Sequence, residues 1–350
     1  MKATKKVLFV YSHWQSFVRE DFNLLLSFTS ISKLKFDLQK SFIGFFLGQL
    51  KGIFNLLAKV PKNDIIYIWF CDYHAFWAVL FAKLFGKQSI IVVGGFDAVK
   101  IPSIDYGLFI QNNLRTRLAK WAYGNCDKII AVDQSLIKGE NTFAGVGAVT
   151  GVANFVDDIE SKSQVIPTGY DEEKWKIKPK KEQVLTIALI KDQKVFNRKG
   201  IDLYLEVAKR LSNIDFYIIG LQHEDLIPPQ LQGLKNVHIL PIVPQEELIN
   251  FYAETKVYCQ FSVSEGLPNV LCEAMMSGCI PVGSSANGIP LAIGDCGYIL
   301  TEKNIEKAIE LVKLALNSEK EKSYCARQRI QQLFPKNNRL KRLKELIESL

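Results

Sequence analysis

Short runs of β-branched and aliphatic residues alternate along this chain with longer stretches in which apolar residues recur every three or four positions. The short runs predict buried strands, and the longer stretches predict amphipathic helices. Strands are predicted at residues 6–11, 34–38, 64–70, 89–93 and 128–132, and again at 184–190, 216–220, 237–240, 257–263 and 279–283. Helices are predicted at 17–31, 42–59, 74–85 and 108–123, and from near residues 200, 245 and 268. Strands that alternate with helices build parallel sheets, so the pattern predicts the α/β class with two Rossmann-like domains.

A polar, lysine-rich segment at residues 171–183 separates the two halves, and Pro179 within it favours a linker. From residue 304 onward the pattern is helical, with apolar residues on one face at 305–312 and on another at 340–350. The chain has 350 residues, of which 48% are hydrophobic, and this is enough for two domains that each bury a core.

The cellular compartment is predicted from the N-terminus and the cysteines. The N-terminal apolar core is too short for a signal peptide, and no apolar run is expected to reach the length of a membrane span, so a cytoplasmic chain is expected. The seven cysteines are odd in number and scattered through apolar segments, which predicts that they are reduced and buried. The four histidines show no spacing typical of a metal site.

A formal net charge of +8 indicates an anionic partner, and a nucleotide sugar, a membrane surface and a nucleic acid all fit that description. The sequence shows no nucleic-acid-recognition motif, so no nucleic-acid partner is expected. Residues 42–59 are unusually apolar and are interrupted by Lys51 and Lys59. They form either a helix packed against its sheet, which their place between two strands favours, or a surface that contacts an anionic membrane.

Two acids, Glu265 and Glu273, stand with seven residues between them where a predicted strand passes into a helix. If the helix begins near Pro268, Glu273 lies about one and a half turns into it, and Glu265 lies in the preceding turn. Burying a carboxylate is costly without a partner, and a ligand rich in hydroxyl groups would satisfy both acids. The backbone N–H groups of Asn269 and its neighbours would face the same space, which suits a diphosphate. The alternative is a pair of acids at a solvated helix start.

The segment continues with Ala274-Met275, Gly278 and an Ile-Pro-Val strand, and the whole pattern resembles the retaining glycosyltransferases of family 4, which have the GT-B fold. The resemblance implies two Rossmann-like domains whose parallel sheets face each other across a cleft. It also implies an acceptor domain at residues 1–174, a donor domain at 175–337, and a helix at 338–350 that crosses back to the first domain. In that family the first acid binds hydroxyls of the donor sugar and the second binds the nucleotide ribose, which assigns these roles to Glu265 and Glu273.

The resemblance also implies a binding site for the leaving diphosphate. Lys199-Gly200 matches the family's phosphate-binding Lys-Gly, while the family's preceding Gly-Arg is absent and leaves Arg198 and Lys191 as candidates for the second cation. The remaining donor-side candidates surround the two acids and the expected nucleobase edge; they are Gly266, Leu267, Pro268, Asn269 and Val243. No cofactor and no metal ion are expected, because GT-B enzymes usually neutralise the leaving group with side chains and helix ends.

Turns at the carboxyl ends of strands in the first domain would face the cleft, because ligands in such sheets bind beyond those ends. The candidates on this acceptor side are His13, Ser16, Arg19, His74 and Gly95. Asp97 stands near where many family members have a histidine, so it joins Glu265 and Lys199 as a catalytic candidate that could bind a hydroxyl or orient the nucleophile. His74 is open to a second interpretation, as a helix cap or a buried core residue.

The resemblance therefore implies a metal-independent glycosyltransferase that moves a sugar from a nucleotide-sugar donor to a glycan or lipid-linked acceptor. The resemblance further implies retention of the anomeric configuration, a place in cell-surface polysaccharide biosynthesis, and action in the cytoplasm or on the inner face of the membrane. Two alternatives stay open. One is a sugar-nucleotide epimerase on the same fold, and the other is a non-catalytic carbohydrate-binding protein.

Overall fold

The computed structural model describes residues 4–37 and 41–350. Its strands are β1 (Lys6–Tyr11), β2 (Ser30–Lys35), β3 (Ile65–Trp69), β4 (Gln88–Val93), β5 (Val99–Lys100), β6 (Lys128–Ala131), β7 (Val149–Thr150), β8 (Ser163–Val165), β9 (Lys181–Ile190), β10 (Asp215–Leu221), β11 (Val237–Leu240), β12 (Thr255–Gln260), β13 (Ile280–Ser284) and β14 (Tyr298–Leu300). Its α-helices are α1 (Ser16–Leu26), α2 (Phe42–Lys59), α3 (Tyr73–Leu84), α4 (Leu114–Asn125), α5 (Gln193–Arg198), α6 (Ile201–Arg210), α7 (Gln245–Glu254), α8 (Asn269–Met276), α9 (Ile289–Ile293), α10 (Ile305–Leu316), α11 (Lys320–Leu333) and α12 (Lys336–Ser349).

Two six-stranded sheets form the two halves of the protein, in the orders β2-β1-β3-β4-β6-β8 and β11-β10-β9-β12-β13-β14. Every strand pair within them is parallel. Helices cover the sheets, so that all five residues of β3 are buried. The predicted α/β class with two parallel sheets is confirmed. The carboxyl ends of parallel strands meet at one edge of each sheet, and these two edges border the cleft described below.

Two element boundaries differ from the predictions because side chains end or start the helices. The predicted helix at 17–31 stops at Leu26, where the hydroxyls of Ser27 and Thr29 donate hydrogen bonds to the last carbonyls, and β2 begins at residue 30 instead of 34. The predicted end of that strand, Leu38, lies outside the described residues. The helix predicted from residue 108 starts at 114, because Asn113 caps it by accepting a hydrogen bond from the N–H of Thr116.

The prediction that all cysteines are reduced is wrong for one pair. Cys296, which precedes β14, and Cys325 on α11 form a disulfide, with their Cα atoms 5.3 Å apart. The two cysteines are 29 positions apart in the sequence, which gave no sign of this contact, because it depends on how α11 packs against the second sheet. The other cysteines are free and buried, as predicted.

The expectation that no apolar segment reaches the length of a membrane span is also wrong. The helix that spans Phe42–Lys62, which includes α2, is long and apolar enough to cross a membrane by length and composition. Only 22% of its most apolar 18-residue window is buried. The interpretation of α2 as a helix packed into the core therefore does not hold for most of its surface.

The last helix, α12, returns to the first domain through a buried ion pair. The Arg339 guanidinium meets both carboxylate oxygens of Asp21 on α1, at 2.6 and 2.7 Å. The hydroxyl of Tyr67 and the indole N–H of Trp69 donate to the same carboxylate, at 2.8 and 3.0 Å. Arg339 also donates to the carbonyls of residues 166 and 167, where the chain leaves the first sheet. Every charge in this group therefore has hydrogen-bonding partners, which a buried ion pair requires.

We predict that Arg339→Ala lowers the free energy of unfolding by about 3–5 kcal/mol, because Asp21 would remain buried without its counter-charge. Urea denaturation measures the change. The control is Lys344→Ala on the same helix, whose pair with Glu348 is exposed and spans 3.9 Å. That control should cost less than about 0.5 kcal/mol. Equal losses in the two variants would show that the buried pair does not anchor α12.

Candidate functional site

Two adjoining cavities occupy the cleft between the sheets, and the side chain of Phe17 lines both. The Glu265 cavity holds about 410 Å³ and lies between the turns of the first domain and the loops that carry Lys199 and Glu265. The Glu273 cavity holds about 290 Å³ and lies between α1, the crossing segment at 168–175 and the start of α8. The two acids that the sequence singled out therefore face neighbouring spaces.

Glu265 is buried against two cations in its cavity. The ammonium of Lys199 lies 2.5 Å from its Oε1, and the guanidinium of Arg198 lies 3.4 Å from the same oxygen. Burial alone would raise the pKa of the Glu265 carboxyl, but the two cations outweigh it and hold the pKa below its ordinary value. Burial lowers the pKa of Lys199, which the carboxylate opposes. The group thus carries two positive charges and one negative charge at the wall of the cavity.

The backbone around Arg198 and Lys199 is fixed from several sides. Residues 193–198 form the short helix α5, and Asp192 caps it by accepting from the N–H of Val195 at 2.9 Å. The carbonyl of Arg198 accepts from the N–H of Val263 at 2.7 Å. Gly200 follows with a φ of +66°, and a Cβ there would lie 2.2 Å from the carbonyl oxygen of residue 261. Only glycine fits this turn, so the Lys-Gly pair has a structural reason.

The turn that carries Glu265 is also held by the first domain. Asn141 donates to the carbonyl of Val263 at 2.8 Å and to the side-chain oxygen of Asn287 at 3.2 Å. That same oxygen accepts from the N–H of Glu265 at 3.3 Å. Gly266 lines the cavity, but Leu267 and Pro268 are buried beneath it and line neither cavity. The last two therefore position the start of α8, and their direct contact with a ligand stays a prediction.

Glu273 has far fewer partners than Glu265. Its carboxylate accepts one hydrogen bond, from the hydroxyl of Tyr252 at 3.2 Å. Burial raises the pKa of Glu273 to about 7, with Lys174 opposing the shift. Asn269, at the start of α8, lines the same cavity, and its side-chain oxygen accepts from the hydroxyl of Tyr170 at 2.7 Å. A carboxylate with unused acceptor capacity is thus aimed into a cavity.

The predicted nucleobase edge lies one turn away from the cavity wall. Val243 is half-buried against the hydrophobic core and lines neither cavity. Gln245, the first residue of α7, lines the Glu273 cavity instead. The side chain of Gln245 therefore reaches this cavity, and the contact of Val243 with a nucleobase stays a prediction.

The acceptor-side candidates divide between the cavities. His13 and Gly95 line the Glu265 cavity, as expected for that side. Ser16 and Arg19 line the Glu273 cavity, since the first turn of α1 carries them past Phe17. His74 lines neither: it is buried, its Nε2 lies 3.0 Å from the carbonyl oxygen of Trp69, and burial lowers its pKa. The structure supports the interpretation of His74 as a core residue.

Asp97 is at the wall of the Glu265 cavity, but its carboxylate is fully engaged. One oxygen accepts from the N–H groups of Gly94 and Gly95, at 3.1 and 3.0 Å. The other accepts from the N–H of Cys71 at 2.8 Å and from the hydroxyl of Tyr123 at 3.1 Å. Burial raises the pKa of Asp97, although the hydrogen bonds from the backbone donors lower it in part. The residue shapes two cleft turns, and this arrangement does not fit its prediction as a base or a hydroxyl ligand.

Sequence reasoning missed an ion pair that lines the Glu265 cavity. Arg115 on α4 donates to both carboxylate oxygens of Asp72, at 2.9 and 2.5 Å, and lies over the ring of Phe96 at 5.3 Å. Asp72 stands in a turn that the sequence had placed at the cleft, so it could have been found. Arg115 lies far along the chain in an ordinary helix pattern and gave no such signal.

Across the same cavity, the ring centre of Tyr106 lies 5.1 Å from the central carbon of the Arg198 guanidinium. This contact joins the first domain's wall of the cavity to the cations of the second domain.

Among the described residues, at 4–37 and 41–350, no three His, Cys, Asp or Glu side chains form a group that could hold a metal ion. Metal independence itself stays a prediction.

Comparison with known proteins agrees with this geometry. Residues 171–332 match the family Glycosyl transferases group 1. A curated relative, an uncharacterized glycosyltransferase of Haemophilus influenzae, is 25% identical over 230 residues, which cover 60% of this chain and 58% of that protein. The chain therefore spans less than two thirds of that relative. The second domain is thus similar to Glycosyl transferases group 1, and the relative is named a glycosyltransferase.

Solved structures show the same architecture over the whole chain. Sucrose-phosphate synthase from Thermosynechococcus elongatus superposes with a TM-score of 0.75 at 12% identity, covering 99% of this chain and 98% of that one. HepE of Anabaena, solved in complex with UDP and glucose, superposes with a TM-score of 0.70 at 13% identity, covering 99% and 100%. At such identities the likeness shows the fold alone. The predicted GT-B architecture is confirmed.

We predict that Asp97→Asn lowers the free energy of unfolding by about 2–3 kcal/mol, because an amide NH₂ would face N–H donors that now have an acceptor. Thermal and urea unfolding measure this. Asp105→Asn is the control, since Asp105 is exposed and pairs only with Lys194 among the described residues. If Asp97→Asn left stability unchanged, the carboxylate would not be the structural acceptor described here.

We predict that Glu273→Gln makes the protein more stable than the wild type at pH 8 but not at pH 4. The folded protein holds the Glu273 proton up to about pH 7, whereas the unfolded chain releases it near 4.5, so the wild type loses stability as pH rises through this window. The gain at pH 8 should be on the order of 1–3 kcal/mol. Exposed Glu302→Gln is the control. Melting curves across pH that run parallel for Glu273→Gln and the wild type would contradict the prediction.

Proposed function

We propose that this chain, whose residues 171–332 match Glycosyl transferases group 1, transfers a sugar from a nucleotide-sugar donor to a glycan or lipid-linked acceptor. We further propose that it retains the anomeric configuration, uses no metal ion, and acts on the cytoplasmic side in cell-surface polysaccharide biosynthesis. The observation that carries the proposal is the pair of adjoining cavities, with two cations and an acid in one and a half-satisfied acid in the other. One nucleotide sugar laid across both would meet each of these groups.

The Glu273 cavity suits the nucleoside. The carboxylate of Glu273 has acceptor capacity to spare, and vicinal ribose hydroxyls are the donors that would use it. Gln245 and Asn269 supply further polar groups at its wall. A structural neighbour, HepE of Anabaena, was solved in complex with UDP and glucose. A uridine nucleotide is therefore the first donor to test.

The Glu265 cavity suits the diphosphate and the sugar. Arg198 and Lys199 provide positive charge where the leaving diphosphate gains negative charge, and the start of α8 adds backbone N–H groups nearby. The Glu265 carboxylate can accept from sugar hydroxyls once a phosphate takes over its cations. Such groups need no rearrangement at the moment of reaction, which is how electrostatic catalysis lowers a barrier.

In the proposed step, the bond between the anomeric carbon and the phosphate oxygen breaks as the acceptor oxygen bonds to the same face of that carbon. The acceptor's proton passes to the leaving phosphate oxygen. No side-chain base is needed, which agrees with the engaged carboxylate of Asp97. His13 lines this cavity, and burial lowers its pKa, so the neutral ring can accept a hydrogen bond from the acceptor hydroxyl.

Thermal-shift measurements with a panel of nucleoside diphosphates and nucleotide sugars test the proposal directly. A ligand that binds only the folded state raises the melting temperature, and at least one of the panel should do so without added metal. No shift with any member would overturn the proposal. Consumption of donor without an acceptor, with formation of an epimeric sugar, would indicate an epimerase instead.

We predict that substitution of the two acids affects different quantities, ligand binding in one case and turnover in the other. Glu273→Ala should weaken nucleoside diphosphate binding by about 10- to 100-fold, through loss of a hydrogen bond to a charged group. Glu265→Ala should leave that binding within a few-fold and lower kcat on the order of 100-fold. Calorimetry and initial-rate assays measure the two quantities. Lys194→Ala, which changes an exposed lysine on α5, is the control for both. Equal effects of the two acid variants on binding and turnover would contradict the assigned roles.

A further inference from the structure

Helix α2 presents a continuous apolar stripe to the outside of the protein. Phe42, Ile43, Phe46, Leu47 and Phe54 are between 57% and 86% exposed, and they recur at spacings that place them on one side of the helix. Leu50 and Leu57 extend the same side. A patch of this kind on a folded protein marks an interaction surface.

The opposite side of α2 is fixed to the first domain. Leu56 is fully buried, and a Cβ on Gly52 would lie 2.1 Å from the ring of Phe36, so the helix and β2 are in close contact. The ammonium of Lys59 donates to the carbonyl of Lys33 at 2.8 Å. These contacts hold α2 on the first domain with its apolar stripe turned outward, so the helix can lie on an apolar surface without leaving the domain.

The charged residues of α2 indicate which kind of partner binds the apolar stripe. Helix α2 contains Lys51 and Lys59 and no acidic residue, and Lys51 lies one turn beyond Leu47, at the border of the stripe. Lys59 lies on the side fixed to the domain, so Lys51 is the charge at the edge of the stripe. Two copies of the chain that met through this stripe would bring their Lys51 side chains together without an acidic partner on either helix. An apolar stripe with a lysine at its edge and no acid is instead complementary to the interface of an anionic membrane.

The stripe also leads to the Glu265 cavity. In the first turns of α2, the ring of Phe45 packs against Tyr73, with ring centres 5.1 Å apart. Tyr73 directly follows Asp72, which lines the Glu265 cavity together with Arg115. A molecule anchored in a membrane under α2 would therefore present its head group close to this cavity.

We propose that α2 is a membrane-docking surface for anionic lipid, and that the acceptor reaches the Glu265 cavity past Phe45, Tyr73 and Asp72 with its lipid anchor still in that membrane. This deepens the proposed function, on which the acceptor half of the inference rests. The membrane-docking part of the inference depends only on the exposed apolar stripe and on Lys51 at its edge.

Flotation with vesicles tests docking on the full chain. The wild type should float with vesicles of phosphatidylcholine and phosphatidylglycerol at low salt, less so at high salt, and far less with phosphatidylcholine alone. A variant with Phe42→Ser, Phe46→Ser and Phe54→Ser should lose at least tenfold in the bound fraction. The matched control changes three exposed leucines of the second domain, as Leu189→Ser, Leu314→Ser and Leu333→Ser, and should float like the wild type.

Two results would overturn the inference. One is a wild type that stays unbound with anionic vesicles, and the other is a triple phenylalanine variant that floats normally. If ultracentrifugation showed a dimer that the phenylalanine changes dissociate, with no vesicle binding, α2 would be a contact between copies. Thermal shift with nucleoside diphosphates, run on the wild type and both variants, keeps the two proposals apart: intact shifts without flotation defeat docking alone, and absent shifts in the wild type defeat the transferase.

Discussion

The buried pair of Asp21 and Arg339 is the contact on which the cleft depends. The chain passes between the domains twice, at residues 166–181 and again before α12, and Arg339 binds the first crossing while belonging to the second. The crossings also bond to each other, since the N–H of Tyr170 donates to the carbonyl of Phe334 at 2.8 Å and the carbonyl of Tyr170 accepts from Lys336 at 3.1 Å. A buried ion pair stabilises little beyond an apolar substitute, but it tolerates few alternative geometries. The wall of the Glu273 cavity, which includes Tyr170 and Arg339, is thereby set.

Three carboxylates near the cleft show how environment separates structural from functional acids. Asp97 has four donors, so its oxygens are occupied and it shapes turns. Glu265 has two cations, which a bound anion can attract away. Glu273 accepts from one neutral donor and has a raised pKa. Its ionised form is therefore costly to bury, and hydroxyl groups of a ligand would stabilise it most. All three are acids at buried or half-buried positions, and only their partners tell them apart.

Those partners explain how far the sequence could lead. Hydrophobic periodicity predicts two parallel sheets because strands buried on both faces leave a strong pattern, and the spacing of Glu265 and Glu273 is local, so both could be found. Asp97 was misjudged because its donors come from three separate segments of the chain. The disulfide, Arg115 and the Asp21–Arg339 pair likewise depend on contacts between distant segments. The exposure of α2 was hidden for another reason, since an apolar helix has the same composition whether a sheet or a membrane covers it.

The charged side chains around Glu265 are paired with one another within the protein, yet their arrangement favours the binding of an anion. Lys199 and Arg198 share the carboxylate of Glu265, so this group of three side chains carries one positive charge in excess. A diphosphate would take up that excess and release Glu265 to accept other hydrogen bonds, so that the cations change partners without ever lacking one. Because burial makes an unpaired charge far more costly than a paired one, such an exchange keeps the cost of emptying the site small. The same exchange couples the two ends of a donor, since the sugar hydroxyls can bind Glu265 only after the phosphates have drawn its cations away.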